Sequence, residues 1–384
     1  MRAWLLPLAL IPCGCACSDS KDAPPSAGSA GGTAGTAGGS DSAVGGTPGT
    51  GGTSGGGTGG VEPYLDCDHV KVEKSCVDGW CRIPAGCFIM GSPKDEWGRG
   101  AYDEDQAKVT LTRSFEIQQY EVTQAEWVDQ GLDNPSEPPG PTSAGDCLEP
   151  TCPVGNVNWY EAAAYANLLS EQHLPALAAC YVLSGCDGAM GEGRECDTVT
   201  MNAPSPYECE GYRLPTAAEW EYAARAGTKT AFYSGPIKEY PKTLECAADP
   251  NLEKIGWYCF NSGNTTHPVG SKEPNAWGLF DMAGNAWEWS NDVTNGIGHG
   301  PTPLVDPDES NGFPTGQVLW RSCGPNATAR SCRSAAHFFT GQRSSRGGSG
   351  GFRLVRTLPV GPPPDAGTEM DAAGDAAAPS DAGE

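Results

Sequence analysis

The chain has 384 residues, and its 53 glycines and 33 prolines make up about a fifth of them. Its formal charge is −24, from 48 acidic against 24 basic residues. This acidity, without clustered Lys and Arg to neutralise phosphates, excludes nucleic acid as an expected partner. Residues 18–61 are dominated by Gly, Ser, Thr and Ala, with almost no large apolar side chain, and predict a flexible tether.

The first seventeen residues have the features of an export signal. Arg2 precedes an apolar run, Ala3–Ile11, which is too short to span a bilayer. Small residues and Cys13, Cys15 and Cys17 follow, and a cysteine at this place resembles a bacterial lipoprotein leader, in which the thiol is lipidated after cleavage. We therefore predict an exported lipoprotein of the outer membrane or cell envelope, which contacts the membrane only through this lipid. The alternative is ordinary cleavage and secretion.

Three interior segments begin with the same helix-start chemistry. Thr123, Asn158 and Thr216 each stand three residues before a glutamate that can complete a capping box. An amphipathic or Ala-rich run follows each cap, so the sequence predicts three short helices. Short apolar runs predict strands at Cys87–Gly91, Val109–Phe115, Phe115–Val122 and Phe352–Val355.

Fourteen cysteines lie beyond the leader, an even number in a chain with an export signal. They predict a framework of up to seven disulfides, and the absence of any CxxC pair argues against a zinc site. Cys246–Cys259 and Cys323–Cys332 are candidate local bridges. The expected fold class is α+β, with residues 62–358 forming one large, irregular, disulfide-stapled domain and residues 359–384 an acidic disordered tail.

Six blocks, in this order, resemble the formylglycine-generating enzyme family, also called the sulfatase-modifying factor family. They are Ile83–Pro93, Phe115–Trp127, Pro153–Ser170, Gly211–Gly227, His267–Asp292 and Arg330–Arg356. The runs RLPT–EWEYAARAG and GLFDMAGNAWEW are long and specific. The resemblance implies a C-type-lectin-like domain. Within the RLPT–EWE unit, we expect Arg213 and Glu219 to form structural hydrogen bonds.

The resemblance also implies a calcium site in the GLFDMAGNAWEW block. The family's ligands map onto Asp281, Gly284, Ala286 and Glu288, although the family usually has Asn where Asp281 stands. Calcium prefers six to eight oxygens, which carboxylates and the carbonyls of a glycine-containing turn supply. The alternative is that Asp281 and Glu288 cap turns or pair with arginine. Trp287 lines the substrate groove by the same resemblance, and a core position is its alternative.

The loop that should carry the chemistry departs from the family. Its oxidases hold copper(I) between two thiols, one just after a GGS turn and the other five residues later, and soft thiolates favour that ion. Here Cys323 and Cys332 are nine residues apart and match neither position. We expect a disulfide that pins the loop, no catalytic residue and no copper. A rearranged copper pair and two free thiols are the alternatives.

The sequence is compatible with two functions. In the first, the domain has lost the oxidase chemistry and binds a peptide, protein or glycan at the cell envelope, with calcium as a structural ion. In the second, an altered centre still oxidises a cysteine or serine of exported sulfatases to formylglycine. The state of the two sulfurs in residues 321–333 discriminates between these functions.

Overall fold

A computed structural model of the protein describes residues 66–100, 104–140, 143–242, 245–294, 302–308, 317–339 and 342–359. The predicted leader, the tether and all but the first residue of the predicted tail lie outside these ranges, so their boundaries stay predictions. Among the helices in these ranges, none combines the length and apolarity needed to cross a membrane.

All three predicted capping boxes are present. Each cap side chain accepts from the backbone N–H three residues later, and the glutamate there accepts from the N–H of the cap residue. The helices are α1 (Gln124–Val128), α2 (Trp159–Gln172), α3 (Ala217–Arg225) and α4 (Leu252–Ile255). Helix α3 is buried on every side, which places the capped RLPT–EWE unit inside the domain.

The strands are short, as expected for an irregular α+β domain. In chain order they are β1 (Cys76–Val77), β2 (Trp80–Ile83), β3 (Gly86–Met90), β4 (Ala107–Leu111), β5 (Phe115–Gln118), β6 (Tyr181–Asp187), β7 (Glu195–Met201), β8 (Tyr212–Arg213), β9 (Trp287–Thr294), β10 (Leu304–Val305), β11 (Gln317–Ser322), β12 (Phe338–Phe339), β13 (Gly350–Gly351) and β14 (Val355–Thr357). The first three predicted strands, Cys87–Gly91, Val109–Phe115 and Phe115–Val122, correspond to β3, β4 and β5, with different bounds. Of Phe352–Val355, only Val355 enters a strand, while Phe352 and Leu354 pack into the core outside the strands.

Within the described residues the strands form four sheets. The order is β1-β2-β5-β14-β8 in the largest sheet, β10-β4-β3 in the second, β12-β11-β9-β13 in the third, and β6-β7 in a hairpin. In the third sheet β9 pairs antiparallel with β11, and Trp287 lies opposite Ser322. This pairing brings the end of the GNAWEW block beside the cysteine loop.

All fourteen cysteines of the domain are paired in disulfides. The pairs are Cys67–Cys87, Cys76–Cys81, Cys147–Cys152, Cys180–Cys209, Cys186–Cys196, Cys246–Cys259 and Cys323–Cys332. The framework of seven bridges is thus confirmed, as are both local candidates. A set of disulfides this dense is typical of exported proteins.

Buried arginines join the layers of the domain. Arg213 donates from both terminal nitrogens to the two oxygens of Glu219, at 2.7 Å each, which confirms the structural role expected for this pair. Arg321 of β11 and Arg225 of α3 share Glu221 at 2.7 and 2.8 Å. Because each carboxylate is paired, the charges inside α3 are compensated.

Candidate functional site

The cysteine loop lies directly after β11. Ser322 ends the strand with a left-handed backbone (φ 59°), which turns the chain so that Cys323 enters the core. A short 3₁₀ turn, Ala329–Cys332, returns to it, and the Cα atoms of Cys323 and Cys332 lie 4.9 Å apart across their disulfide. Both cysteines are almost inaccessible, at 0% and 1% exposure. The two sulfurs that could have formed a copper pair are therefore bonded to each other and buried.

The far end of the loop is fixed by Arg333. Its guanidinium donates to both oxygens of Glu104 (2.7 and 2.8 Å) and to Glu96 (2.8 Å). Burial would raise the pKa of Glu104, but the hydrogen bonds and charge of Arg333 outweigh it and lower that pKa to about 2. At Glu96 burial dominates, so its pKa is raised despite the same arginine. The loop is thus held at both ends.

Trp287 lies against this loop. Its indole packs on the backbone of Gly324, where an added Cβ would collide with it, and it stacks on Trp320 at 5.8 Å between ring centroids. The side chain is half-buried beside the cluster that holds the disulfide. Trp287 thus lies beside the cysteine loop, and its role in a substrate groove stays a prediction.

Glu288 is paired with an arginine near the C-terminal end of the domain. Arg353 donates to both carboxylate oxygens at 2.7 Å, and the Trp220 indole N–H donates to one of them at 2.8 Å. Arg353 and Glu288 are both fully buried. Pairing with arginine was the alternative to calcium ligation at this residue, and it occupies both oxygens.

The rest of the predicted calcium set does not form an oxygen shell as it stands. The Gly284 carbonyl accepts from the Ser322 hydroxyl at 3.1 Å, and Ala286, whose possible ligand is its backbone carbonyl, is fully buried. Asp281 accepts from the Gly270 N–H through Oδ2 at 2.7 Å, while Oδ1 has no partner. No group of three or more His, Cys, Asp or Glu side chains converges as a metal cluster among the described residues. Calcium at these four positions therefore stays a prediction, and among their side-chain oxygens Oδ1 of Asp281 has no hydrogen-bond partner.

Glu121 is the residue that sequence reasoning missed. It is 1% exposed, and both of its carboxylate oxygens lack a partner. Burial and the nearby charge of Asp281 raise its pKa well above the usual range, and burial raises the pKa of Asp281 to about 6. The available signal was a carboxylate in the otherwise uncharged run between Ile117 and Gln124.

Known proteins are similar to this chain in sequence and in fold. A chaperone protein LppX of Paenibacillus barcinonensis is 33% identical over 198 residues, which cover 47% of this chain and 62% of that protein. The formylglycine-generating enzyme of Mycobacterium tuberculosis is 30% identical over 237 residues, or 54% of this chain and 72% of the enzyme. In a superposition with Treponema denticola variable protein 1, the TM-score is 0.55 at 27% identity, and the match covers 73% of this chain and 95% of the other.

The matched region thus covers less than two thirds of the length of the LppX protein and more than two thirds of the length of the Mycobacterium tuberculosis enzyme. The same family is indicated by the irregular α+β fold, by the order of the motif blocks and by these relatives. Residues 68–358 match the sulfatase-modifying factor enzyme 1-like domain, and the chain belongs to that family.

Proposed function

We propose that this protein is a member of the family without oxidase chemistry, anchored at the cell envelope, where it binds a polypeptide partner. The observation that carries the proposal is the buried Cys323–Cys332 disulfide. Copper(I) is held by thiolates, and a sulfur joined to another sulfur is not a thiolate. Reduction alone would leave both sulfurs enclosed in the core cluster that contains Tyr258 and Ala329.

A polypeptide partner is favoured over a glycan by one of the relatives. That relative, 33% identical, is named a chaperone protein, and a chaperone binds other chains rather than transforming them. The seven disulfides are typical of an exported protein and give the domain a rigid surface on which such a chain can lie. The predicted leader and tether supply the proposed anchor, and both lie outside the described residues.

The test combines both halves of the proposal in one reaction. An unfolded exported sulfatase that carries a CxPxR segment is diluted into the protein with copper and oxygen, once under native and once under mildly reducing conditions. Light scattering reports aggregation, and mass spectrometry reports formylglycine. We expect less aggregation than in buffer and no formylglycine, whereas the Mycobacterium tuberculosis enzyme used as control should convert the segment. Conversion by this protein would overturn the loss of oxidase chemistry, and unchanged scattering would overturn the binding role.

We also propose a structural calcium ion beside Asp281 and Glu121. Glu121 is buried and interacts electrostatically with the buried carboxylates of Asp281 and Glu288 and with the buried guanidinium of Arg353. Three oxygens, both of Glu121 and Oδ1 of Asp281, lack hydrogen-bond partners. Lys272 also acts on Asp281, but it lies near the surface, over the Trp257 ring. A divalent cation would compensate the remaining charge, with backbone carbonyls completing its oxygen shell.

Chelation should therefore lower the melting temperature. An ion present at about a hundred times its dissociation constant stabilises by roughly 2.7 kcal/mol, which is on the order of 5–10 °C for a domain of this size. Differential scanning fluorimetry with EDTA and with added calcium measures the shift, which Glu121→Gln should abolish and exposed Glu73→Gln should leave intact. A wild-type melting curve that EDTA does not move would count against the ion.

A further inference from the structure

A small pocket opens between the start of α2, the β6–β7 hairpin and β9. Its walls include Trp159, Tyr181, Met201, Asn291 and Arg343. Its free space is about 220 Å³ including the open mouth, and the enclosed part has room for only a few atoms. The pocket therefore has room for the end group of a ligand and not for a whole ligand.

The first polar wall of the pocket is Asn291, which is 1% exposed. Its Oδ1 accepts from the Tyr181 hydroxyl at 2.8 Å, and that hydroxyl in turn accepts from the Leu214 N–H at 3.0 Å. Because the Tyr181 hydrogen needs an acceptor, this chain fixes the amide with Nδ2 on the other side, where it has no partner. A buried amide donor without an acceptor is costly, so the wall is built to meet an acceptor atom.

The second polar wall is Arg343, whose guanidinium lies over the Trp159 ring at 5.0 Å from the centroid. Its Nε is buried and has no hydrogen-bond partner. Among the described residues no ion pair joins Arg343 to a carboxylate, and the side chains that interact with its guanidinium are those of Tyr160 and Tyr181. Burial consequently lowers the pKa of Arg343, in contrast to the arginines that are paired with glutamates.

The pocket thus presents two donors without acceptors and one positive charge without a counter-charge. The ligand that satisfies all three is an anion with acceptor oxygens, and a carboxylate is small enough for the enclosed volume. Met201 and Val199 line the same pocket, so apolar surface is available to the rest of the ligand. We propose that this pocket binds a carboxylate at the end of a small, partly apolar molecule or chain.

Isothermal titration of the full chain at low salt tests the proposal with three probes. These are N-acetylalanine, its neutral amide, and acetate. We expect N-acetylalanine to bind with a dissociation constant on the order of 1 mM, acetate to bind more weakly but to compete, and the amide to bind at least tenfold more weakly. Amide binding equal to that of the acid would overturn the carboxylate, and acetate binding equal to that of N-acetylalanine would overturn the apolar contribution.

Variants assign the binding to the pocket. Arg343→Gln should weaken the binding of N-acetylalanine at least tenfold. Arg343→Lys keeps a point charge, so its affinity should lie between those of Arg343→Gln and the wild type. Arg82→Gln removes an exposed arginine of β2 and should bind like the wild type. Because Arg343 is half-buried and outside the helices and strands, its variants should fold, which circular dichroism checks. Unchanged affinity in Arg343→Gln would place the carboxylate elsewhere and overturn the proposal.

Discussion

Replacing Arg353 by methionine should destabilise the domain by about 3–5 kcal/mol, because it leaves Glu288 as a buried charge without its partner. Arg353 also donates to the carbonyls of Gln118, Gln119 and Phe280, at 3.3, 3.3 and 3.0 Å, and each of these would lose one donor. For a domain of this size the loss corresponds to roughly 10 °C or more in the melting temperature. Denaturant unfolding of Arg353→Met beside the wild type measures it.

A neighbouring ion pair provides the matched control. Arg356 pairs with Glu116 at 2.7 Å, but both side chains are about a quarter exposed. Water therefore screens this pair, and Arg356→Met should cost less than about 1 kcal/mol. The double variant Glu288→Gln/Arg353→Met should be more stable than the sum of the single losses predicts, since neither charge then remains alone. Equal losses at Arg353 and Arg356 would contradict the assigned role of the buried pair.

Local parts of the fold could be predicted because their causes are local. The capping boxes of α1, α2 and α3 depend on residues three positions apart, and each forms as the sequence indicated. The bridges Cys246–Cys259 and Cys323–Cys332 close short loops for the same reason. In contrast, the sequence gives no preference that would join Cys180 to Cys209, because many pairings of fourteen cysteines satisfy the same count.

The candidate site was harder to predict because its contacts join distant segments. The GLFDMAGNAWEW motif shows where oxygens stand along the chain, and it contains Glu288 and Asp281. It does not show that Arg353, 65 residues after Glu288, donates hydrogen bonds to the Glu288 carboxylate. Nor does it show that Glu121, 160 residues before Asp281, contributes oxygens without hydrogen-bond partners. The motif thus predicted where the oxygens stand along the chain. The charges around those oxygens depend on how distant segments pack, which the motif does not show.

The second large effect that we expect is a loss of stability when the Cys323–Cys332 disulfide is removed. Removing their bridge in Cys323→Ala/Cys332→Ala should cost about 2–3 kcal/mol, as expected for a loop closed over 9 residues. The double variant should nevertheless suppress aggregation of an unfolded client as the wild type does, because in a binding domain the bridge supports the loop and takes no part in chemistry. Chemical denaturation and light scattering measure the two effects.

The bridge between Cys246 and Cys259 is the control, since it closes a loop over 13 residues and borders the same core cluster. Its removal should cost a similar free energy of unfolding.

Alkylation of the unreduced wild-type protein, followed by peptide mapping, should label neither Cys323 nor Cys332, because both are bonded and buried. Labelling of both residues under native conditions would show free thiols at the loop. Loss of client binding in the 323/332 variant alone would give these sulfurs a role beyond stability, and together these two results would favour the oxidase over the binding domain.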